Sequence, residues 1–429
     1  MRNVRRALIA AVLSSGIGQA SASQLDTELA AIVDQAPLSG LSVLAIRDGQ
    51  VVYQQQFGLR RLDAAGGGLT APVTPDTMFR IASVSKMMTT LGVMKLLEQG
   101  KLKLDADVGQ YLGFALRNPH YPARPITLRH LLSHTSTLRD DAGYAWGAGT
   151  ALREVLVAQG GMWARDGEPG QYFSYSNLNW AVIGTVMERV TGERFDRLMQ
   201  RLLLAPLGLR GGYYPAEFTR QEVQDTATLY RRRSRDTEIW DSKGPWIAQV
   251  DDFGVAPPQP PSGLEQYRIG SNATPFSPTG GLRMSAADLG KVMLMLLNHG
   301  RHAGRQVIAA RSLALMFSEQ WRYNGSNGDT LKGLYHSWGL GTQRFADVRG
   351  NMGGMPADGR FNAVGHLGEA YGLVATFALD LKKRQGLVSL IGGFGKDPDA
   401  DPGQQSAHTR AEEKILEALY RRAILGRQD

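Results

Sequence analysis

The chain has 429 residues, 43% of them apolar and 21% charged, so it carries enough apolar surface for a sizeable core and is not a disordered chain. It contains no cysteine, which excludes a disulfide framework, a thiolate metal site, a cysteine nucleophile and a cysteine-linked lipid anchor. The formal net charge of +8 is small for this length and does not point to nucleic acid.

The amino terminus reads as a secretory signal. Arg2, Arg5 and Arg6 precede a short apolar stretch from Ala7 to Ile17, and Ala20-Ser21-Ala22 has the small-x-small form of a cleavage site. That stretch is well short of the ~20 residues needed to span a bilayer, and no later run qualifies. Removing residues 1–22 takes away three arginines and no acid, so the net charge falls from +8 to +5. The expectation is an exported, periplasmic protein without stable membrane insertion.

Beyond the leader, Leu25, Leu29, Ile32 and Val33 give helical spacing over Leu25 to Ala36. Leu41 to Arg47 and Gln50 to Phe57 flank Asp48-Gly49, the signature of a hairpin. Residues 58–77 read as a loop, and Met87 to Gln99 as an amphipathic helix closed by Gly100. Leu128–Ser133, Ala151–Gln159, Asn177–Val190 and Phe195–Leu203 are predicted helices. Residues 211–278 read as a long irregular loop holding Pro257, Pro258, Pro260 and Pro261, which is expected to cover a pocket and set substrate choice. Ser285–His299 is a further helix. Strands are predicted over Gly333–Arg344, Ala363–Leu367, Gly372–Asp380 and Gly386–Phe394, followed by a helix from Thr409 to Leu425. The basic cluster Arg231, Arg232, Arg233 and Arg235 is followed by Asp236 and Glu238 and reads as a solvated loop. Strands at both ends with helices between predict an α+β fold: a central antiparallel sheet from both chain ends, flanked by helices, with a mostly helical inserted subdomain.

Three short segments carry groups able to do chemistry. In Phe79-Arg-Ile-Ala-Ser83-Val-Ser-Lys86, Ser83 and Lys86 are three apart at the start of a predicted helix, so both lie on one face. A serine hydroxyl needs a neighbouring base, and a desolvated lysine can be neutral enough to serve. No other lysine in the chain has a serine three positions before it. In Phe173-Ser-Tyr175-Ser-Asn177, a phenol and an amide supply a proton-transfer group and a donor–acceptor pair; read alone, the segment equally suits a helix cap over a packed tyrosine. In Gly365-His366-Leu367-Gly368-Glu369, glycines at a strand join would let a substrate backbone approach, though a turn with a surface histidine has the same pattern.

In this order, Ser-x-x-Lys, Tyr-x-Asn and His-x-Gly resemble the three-part signature of the penicillin-recognising serine hydrolases. Tyr-x-Asn favours the group of class C β-lactamases, D-alanyl-D-alanine carboxypeptidases and family VIII esterases, and the flanking Leu131-Leu132-Ser133-His134-Thr135-Ser136, Gly280-Gly281-Leu282 and Trp338-Gly339-Leu340-Gly341 are similar to the same group. The resemblance runs from about residue 25 to 395. It implies a β-lactamase/transpeptidase-like fold, with residues 23–429 as one catalytic domain: a sheet subdomain of about 23–80 and 280–429, and a helical subdomain with covering loop of about 81–279. It implies Ser83 as the acylated nucleophile, Lys86 and Tyr175 as proton-transfer groups, Asn177, His366, Gly368 and Glu369 as substrate-binding positions, and the Ser83 and Glu369 N–H groups as the oxyanion hole. Whether Lys86 or Tyr175 is the acylation base stays open. The expected partner is a small-molecule or peptidoglycan-derived substrate, such as a D-amino-acid peptide or a small ester; no cofactor and no nucleic acid are expected. A carboxylate at 369, where relatives that hold a substrate carboxylate have a small hydroxyl residue, predicts poorer use of carboxylate-bearing substrates if it faces the pocket. A module that captures penicillins or peptidoglycan fragments without turnover is the alternative.

Two other readings are weaker. His130 and His134 are four apart, which suits a metal, but no glutamate follows His130 in H-E-x-x-H form; His134 is expected to bond to the loop before Ser136. Asp105 and Asp107 read as a solvated turn. No metal site is expected.

Overall fold

The apolar residues of the first predicted strand alternate between two cores, and this organises the molecule. The computed structural model describes residues 15–63, 70–158, 160–345, 354–355 and 361–427. Strand β1 (Gly40–Arg47) sends Leu44 and Ile46 to one face and Leu41, Val43 and Ala45 to the other, and all five are fully buried. A strand buried on both faces needs a layer on each side. Helices α2 (Val84–Glu98) and α4 (Ala286–Leu297) cover one face, while α1 (Ser15–Gln35) and α5 (Arg410–Ala418) cover the other. Each large side chain so buried stabilises the fold by roughly 1.5–3 kcal/mol.

The sheet is antiparallel throughout. Its order runs from three two-residue strands (Trp321–Arg322, Ser337–Trp338, Gln343–Arg344) through β3 (Val364–Ala370), β4 (Leu373–Asp380), β5 (Gln385–Ile391) and β1 to β2 (Gln50–Arg61) and Ala71–Pro72. The carboxyl-terminal strands thus sit beside the amino-terminal hairpin, with Leu41 opposite Ile391 and Ile46 opposite Gly386. Asp48 and Gly49 turn the hairpin with positive φ values of 54° and 75°.

Several sequence expectations are corrected. Helix α1 begins upstream of Leu25, with no proline to stop it and Ser21 and Ser23 inside it; it runs through Ala20–Ala22, and the basic and apolar leader up to residue 14 lies outside the described residues. Strand β2 does not end at Phe57: Val73 N–H bonds to Gly58 O, and Leu59 to Arg61 pair with Ala71–Pro72, so the first part of the expected loop is strand. Helix α2 begins at Val84 rather than Met87, which makes Ser83 its N-cap. Of the helix expected over Ala151–Gln159, Leu152–Ala158 is seen, and Gln159 lies outside the described residues. The single strand expected at Gly333–Arg344 is two short ones, because Gly339 N–H bonds to Thr342 O and reverses the chain. Residues 211–278 are not wholly irregular: they hold the helix Arg220–Asp225 and the strands Leu229–Arg232 and Trp246–Val250. Arg231 and Arg232 therefore lie on a strand, over the rings of Trp240 and Trp246, instead of in a solvated loop.

No helix among the described residues is long and apolar enough to cross a membrane.

Candidate active site

The short strand Met78–Arg80 leads into α2 through Ala82, whose φ of 45° is left-handed and turns the chain sharply. Ser83 follows at the N-cap, partly open to solvent, and Lys86 lies one turn on with no exposed surface. Lys86 Nζ donates to Ser83 Oγ at 2.9 Å, to Asn177 Oδ1 at 2.7 Å and to the Thr279 carbonyl at 2.9 Å. Helix α2 is buried nearly all round, so the amine sits in a dry interior. Burial lowers its pKa to about 7, against the pull of the Asp140 carboxylate, which raises it.

Tyr175 and Asn177 come from the start of α3 (Leu178–Thr191), where Asn177 is the N-cap. Asp140 holds this turn. Its carboxylate accepts from Asn177 N (2.9 Å), Asn177 Nδ2 (2.8 Å), Leu178 N (3.0 Å) and Ser176 Oγ (2.8 Å). With the amide nitrogen held there, Asn177 Oδ1 is turned to Lys86 and to Thr279 Oγ1 (2.8 Å). The Tyr175 ring is stacked on His134 (centroids 4.3 Å apart) and on Tyr335 (5.5 Å), with Trp338 edge-on, and its centroid lies 5.2 Å from Lys86 Nζ. Burial and the neighbouring Tyr335 push the Tyr175 phenol well above its ordinary pKa, and hydrogen bonding to Ser83 offsets part of that rise.

The third segment lies on β3. A Cβ placed on Gly368 would stand 2.6 Å from Ile81 O and 3.3 Å from Ser83 N, so the strand lies hard against the nucleophile turn. Leu367, Gly368 and Glu369 line the cleft. Confinement, with the Glu412 and Asp399 charges next in weight, raises the Glu369 pKa. His366 departs from its expected place. It is 2% exposed, does not line the cleft and packs edge-on against Trp338 at 5.5 Å, with Nδ1 against the carbonyl of Leu367. Burial and then the Lys86 charge lower its pKa to about 3. It is thus buried behind the Tyr175 ring, at 6.3 Å, and not on the cleft wall, and its lowered pKa favours the neutral imidazole.

These segments meet at a cleft of 1020 Å³ lined by Ser83, Tyr175, Asn177, Gly368 and Glu369 among others. Of the expected covering loop, only its end, Thr274 to Pro278, lines the cleft; residues of Leu331–Tyr335 and Pro398–Glu412 line it too, with Arg80, Tyr144 and Tyr371. His134 is also repositioned. Its Nδ1 accepts from Ser176 N at 3.0 Å and its carbonyl from Ser174 N, so it braces the Tyr175 turn, not the loop before Ser136. His130 Nδ1 faces Thr127 N in a capping box, and no metal-binding group of side chains occurs among the described residues. Asp105 and Asp107 pair with Arg129 and Arg117. Sequence reasoning missed Asp140, Thr279 and Tyr335; each acts through a contact made from a distant part of the chain, and none carries a local motif.

The Beta-lactamase family model matches residues 25–409. The chain belongs to the Beta-lactamase family. Among its relatives, Esterase EstB of Burkholderia gladioli is 33% identical over 221 residues, which are 46% of this chain and 53% of the relative. Penicillin-binding protein 4 of Amycolatopsis lactamdurans is 28% identical over 277 residues, 64% of this chain and 65% of that one. The chain thus spans about half to two-thirds of the length of these curated relatives. Among solved structures, EstCE1, described as a hydrolase with promiscuous acyltransferase activity, superposes with a TM-score of 0.65 at 23% identity, covering 94% of this chain and 99% of its own. The fold of this Beta-lactamase family member is accordingly the β-lactamase/transpeptidase-like one, with its large antiparallel sheet.

Proposed function

We propose that this protein is an exported serine hydrolase that forms an acyl-enzyme on Ser83 and cleaves amide or ester substrates, D-amino-acid peptides or small esters among them. One observation carries the reading: a buried amine with a pKa near neutrality donates to the Ser83 hydroxyl at 2.9 Å. Family membership and the kinship with Esterase EstB and penicillin-binding protein 4 support it.

The lowered pKa supports Lys86 as the acylation base; as a neutral amine it keeps two N–H donors and accepts from the Ser83 hydroxyl across the 2.9 Å contact. At neutral pH a large fraction of Lys86 is unprotonated, whereas the Tyr175 phenol keeps its proton. Lys86 takes the Ser83 proton as Oγ attacks the carbonyl carbon. Tyr175 gives its proton to the departing nitrogen or oxygen and recovers one from Lys86. The acyl-enzyme is then cleaved by water, whose proton returns by the same groups to Ser83 Oγ. The N–H groups of Ser83 and Glu369 are assigned to the developing oxyanion, a role that the tight approach of Gly368 to Ser83 supports. Asn177 steadies Lys86 and faces the substrate amide. His366 is assigned no contact with the reacting atoms.

Glu369 stands in the cleft with Glu412 and Asp399 as its acidic neighbours. The reading for this end is a neutral or cationic substrate group. Export rests on the Arg2-to-Ala22 leader, and the amino-terminal sequence of the protein recovered from periplasm would test it. The activity is tested by a rate panel of p-nitrophenyl esters, nitrocefin, D-Ala-p-nitroanilide and acyl-D-Ala-D-Ala against Ser83→Ala, with a fluorophosphonate label followed over time. Turnover lost in Ser83→Ala supports the hydrolase; a label that forms on Ser83 with no turnover of any substrate would make the protein a binding module.

A further inference from the structure

Arg80 lies three residues before Ser83 and pairs in register with Arg283. The two arginines are in opposite situations. Arg283 is buried and fully engaged: its Nε and Nη2 donate to the Asp251 carboxylate at 3.0 and 2.6 Å, and its Nη1 donates to Gly281 O at 2.7 Å. Arg80 makes one hydrogen bond, from Nε to Gly280 O at 3.3 Å, and no ion pair with any described residue. Its terminal nitrogens are neither bonded nor among the buried polar atoms that lack partners, so they are open to the cleft that Arg80 lines. The guanidinium carbon stands 5.2 Å over the Tyr371 ring. Tyr371 and Tyr144 both line the cleft, exposed at 42% and 41%.

Asp251, the carboxylate that acts on Arg80, is already bonded to Arg283, so no carboxylate among the described residues pairs with the Arg80 guanidinium. The face of Tyr371 offsets only a part of the cost of confining that charge. A guanidinium with both outer nitrogens free presents the parallel donors that match a carboxylate. We propose that Arg80 is a substrate-recognition residue that takes a carboxylate carried away from the scissile bond, with the Tyr371 and Tyr144 rings flanking it.

Arg80 and Glu369 line the same cleft, and Tyr371, over whose ring the Arg80 guanidinium stands, lies two residues beyond Glu369. A cleft that holds a guanidinium and a carboxylate, neither in an ion pair with a described residue, suits an amino-acid-like or peptide-like substrate with charges of both signs better than a simple ester. The proposal rests on the serine-hydrolase reading of Ser83.

The test compares p-nitrophenyl hexanoate with the p-nitrophenyl half-ester of adipic acid, in which a carboxylate replaces the terminal methyl. In Arg80→Gln the ratio of kcat/KM for the charged ester to that for the neutral one should fall about tenfold or more, and Arg80→Lys should recover part of it. Adipate binding to the Ser83→Ala protein, measured by calorimetry, should weaken about tenfold when Arg80→Gln is added. The binding arm needs no catalysis, so it judges Arg80 even if neither ester is hydrolysed; the hydrolase reading is judged separately, by the substrate panel against Ser83→Ala. A ratio and an adipate affinity that both change by less than about twofold would overturn the assignment of Arg80.

Discussion

Asp140 Oδ2 accepts from both the backbone nitrogen and the side-chain nitrogen of Asn177, at 2.9 and 2.8 Å. This one carboxylate oxygen decides which end of the Asn177 amide faces the nucleophile. The nitrogen is held back, so the oxygen is presented to Lys86. The Asp140 charge also raises the Lys86 pKa against the lowering by burial.

Replacing Asp140 by Asn removes the charge and leaves a side chain of nearly the same shape. Lys86 then loses the one force that raises its pKa, so the acid limb of kcat/KM against pH should move to lower pH. The looser Asn177 should also cost about tenfold or more in kcat/KM, the scale of one charge-assisted hydrogen bond. A merely structural role for Asp140 would lower the rate without moving the limb. The measurement is a pH–rate profile of the wild type and the variant on one ester.

The wild-type profile has its own expected form. With the Lys86 pKa lowered to about 7, the base is protonated and idle below that value and free above it. Activity should therefore rise with pH through about 7. His366 should contribute nothing to this limb, because its pKa is lowered to about 3 and it is already neutral throughout the range. His366→Gln should keep the position of the limb, while Tyr175→Phe should keep it and lower kcat about a hundredfold or more, since the proton donor to the leaving group is gone. A limb that stays near 6.5 in the wild type and disappears in His366→Gln would return the histidine to the mechanism.

The Ser83–Lys86 pair was legible in the sequence because it is local: three residues along a helix put Ser83 and Lys86 on one face whatever the rest of the chain does. The hairpin was legible for a similar reason, since the Asp48-Gly49 turn between two strand-forming runs is a short-range signal. What could not be read are the features made by convergence of distant segments. Asp140 reaches Asn177 across 37 residues, and Thr279 reaches Lys86 across 193. His366 was misplaced because its motif gives the strand but not the depth: its ring packs against Trp338, 28 positions earlier, and does not line the cleft. The long segment 211–278 was misread for its prolines, although its arginines lie over tryptophans on a paired strand.

Glu369 bears on substrate choice. Its carboxylate lines the cleft among acidic neighbours, so a substrate carboxylate brought to that end meets repulsion at close range. Glu369→Thr should raise kcat/KM for acyl-D-Ala-D-Ala and for nitrocefin about tenfold relative to a neutral p-nitrophenyl ester. The backbone N–H at 369 is unchanged by the substitution, so the neutral ester reports on the oxyanion site and the ratio reports on charge. An unchanged ratio would place the Glu369 side chain outside the path of the substrate.

Gly368 tests the junction between strand and helix. A methyl group there would lie 2.6 Å from the Ile81 carbonyl oxygen, well inside contact distance, and 3.3 Å from Ser83 N. Both neighbours are backbone, so neither can rotate away. Gly368→Ala must push β3 off the turn that carries Ser83, which separates the two N–H groups assigned to the oxyanion. Loss of one such donor costs about a hundredfold in kcat, and the substitution should give at least that with a smaller change in KM. The displaced packing should also lower stability by about 1–3 kcal/mol, seen as a lower midpoint in urea. Gly365→Ala is the control on the same strand. Its Cβ would meet Phe377 O at 1.9 Å, so it strains β3 against β4 at a point away from Ser83. Equal losses of kcat in the two variants at equal loss of stability would mean that Gly368 serves the sheet alone; a far larger loss of kcat in Gly368→Ala ties the missing side chain to the chemistry.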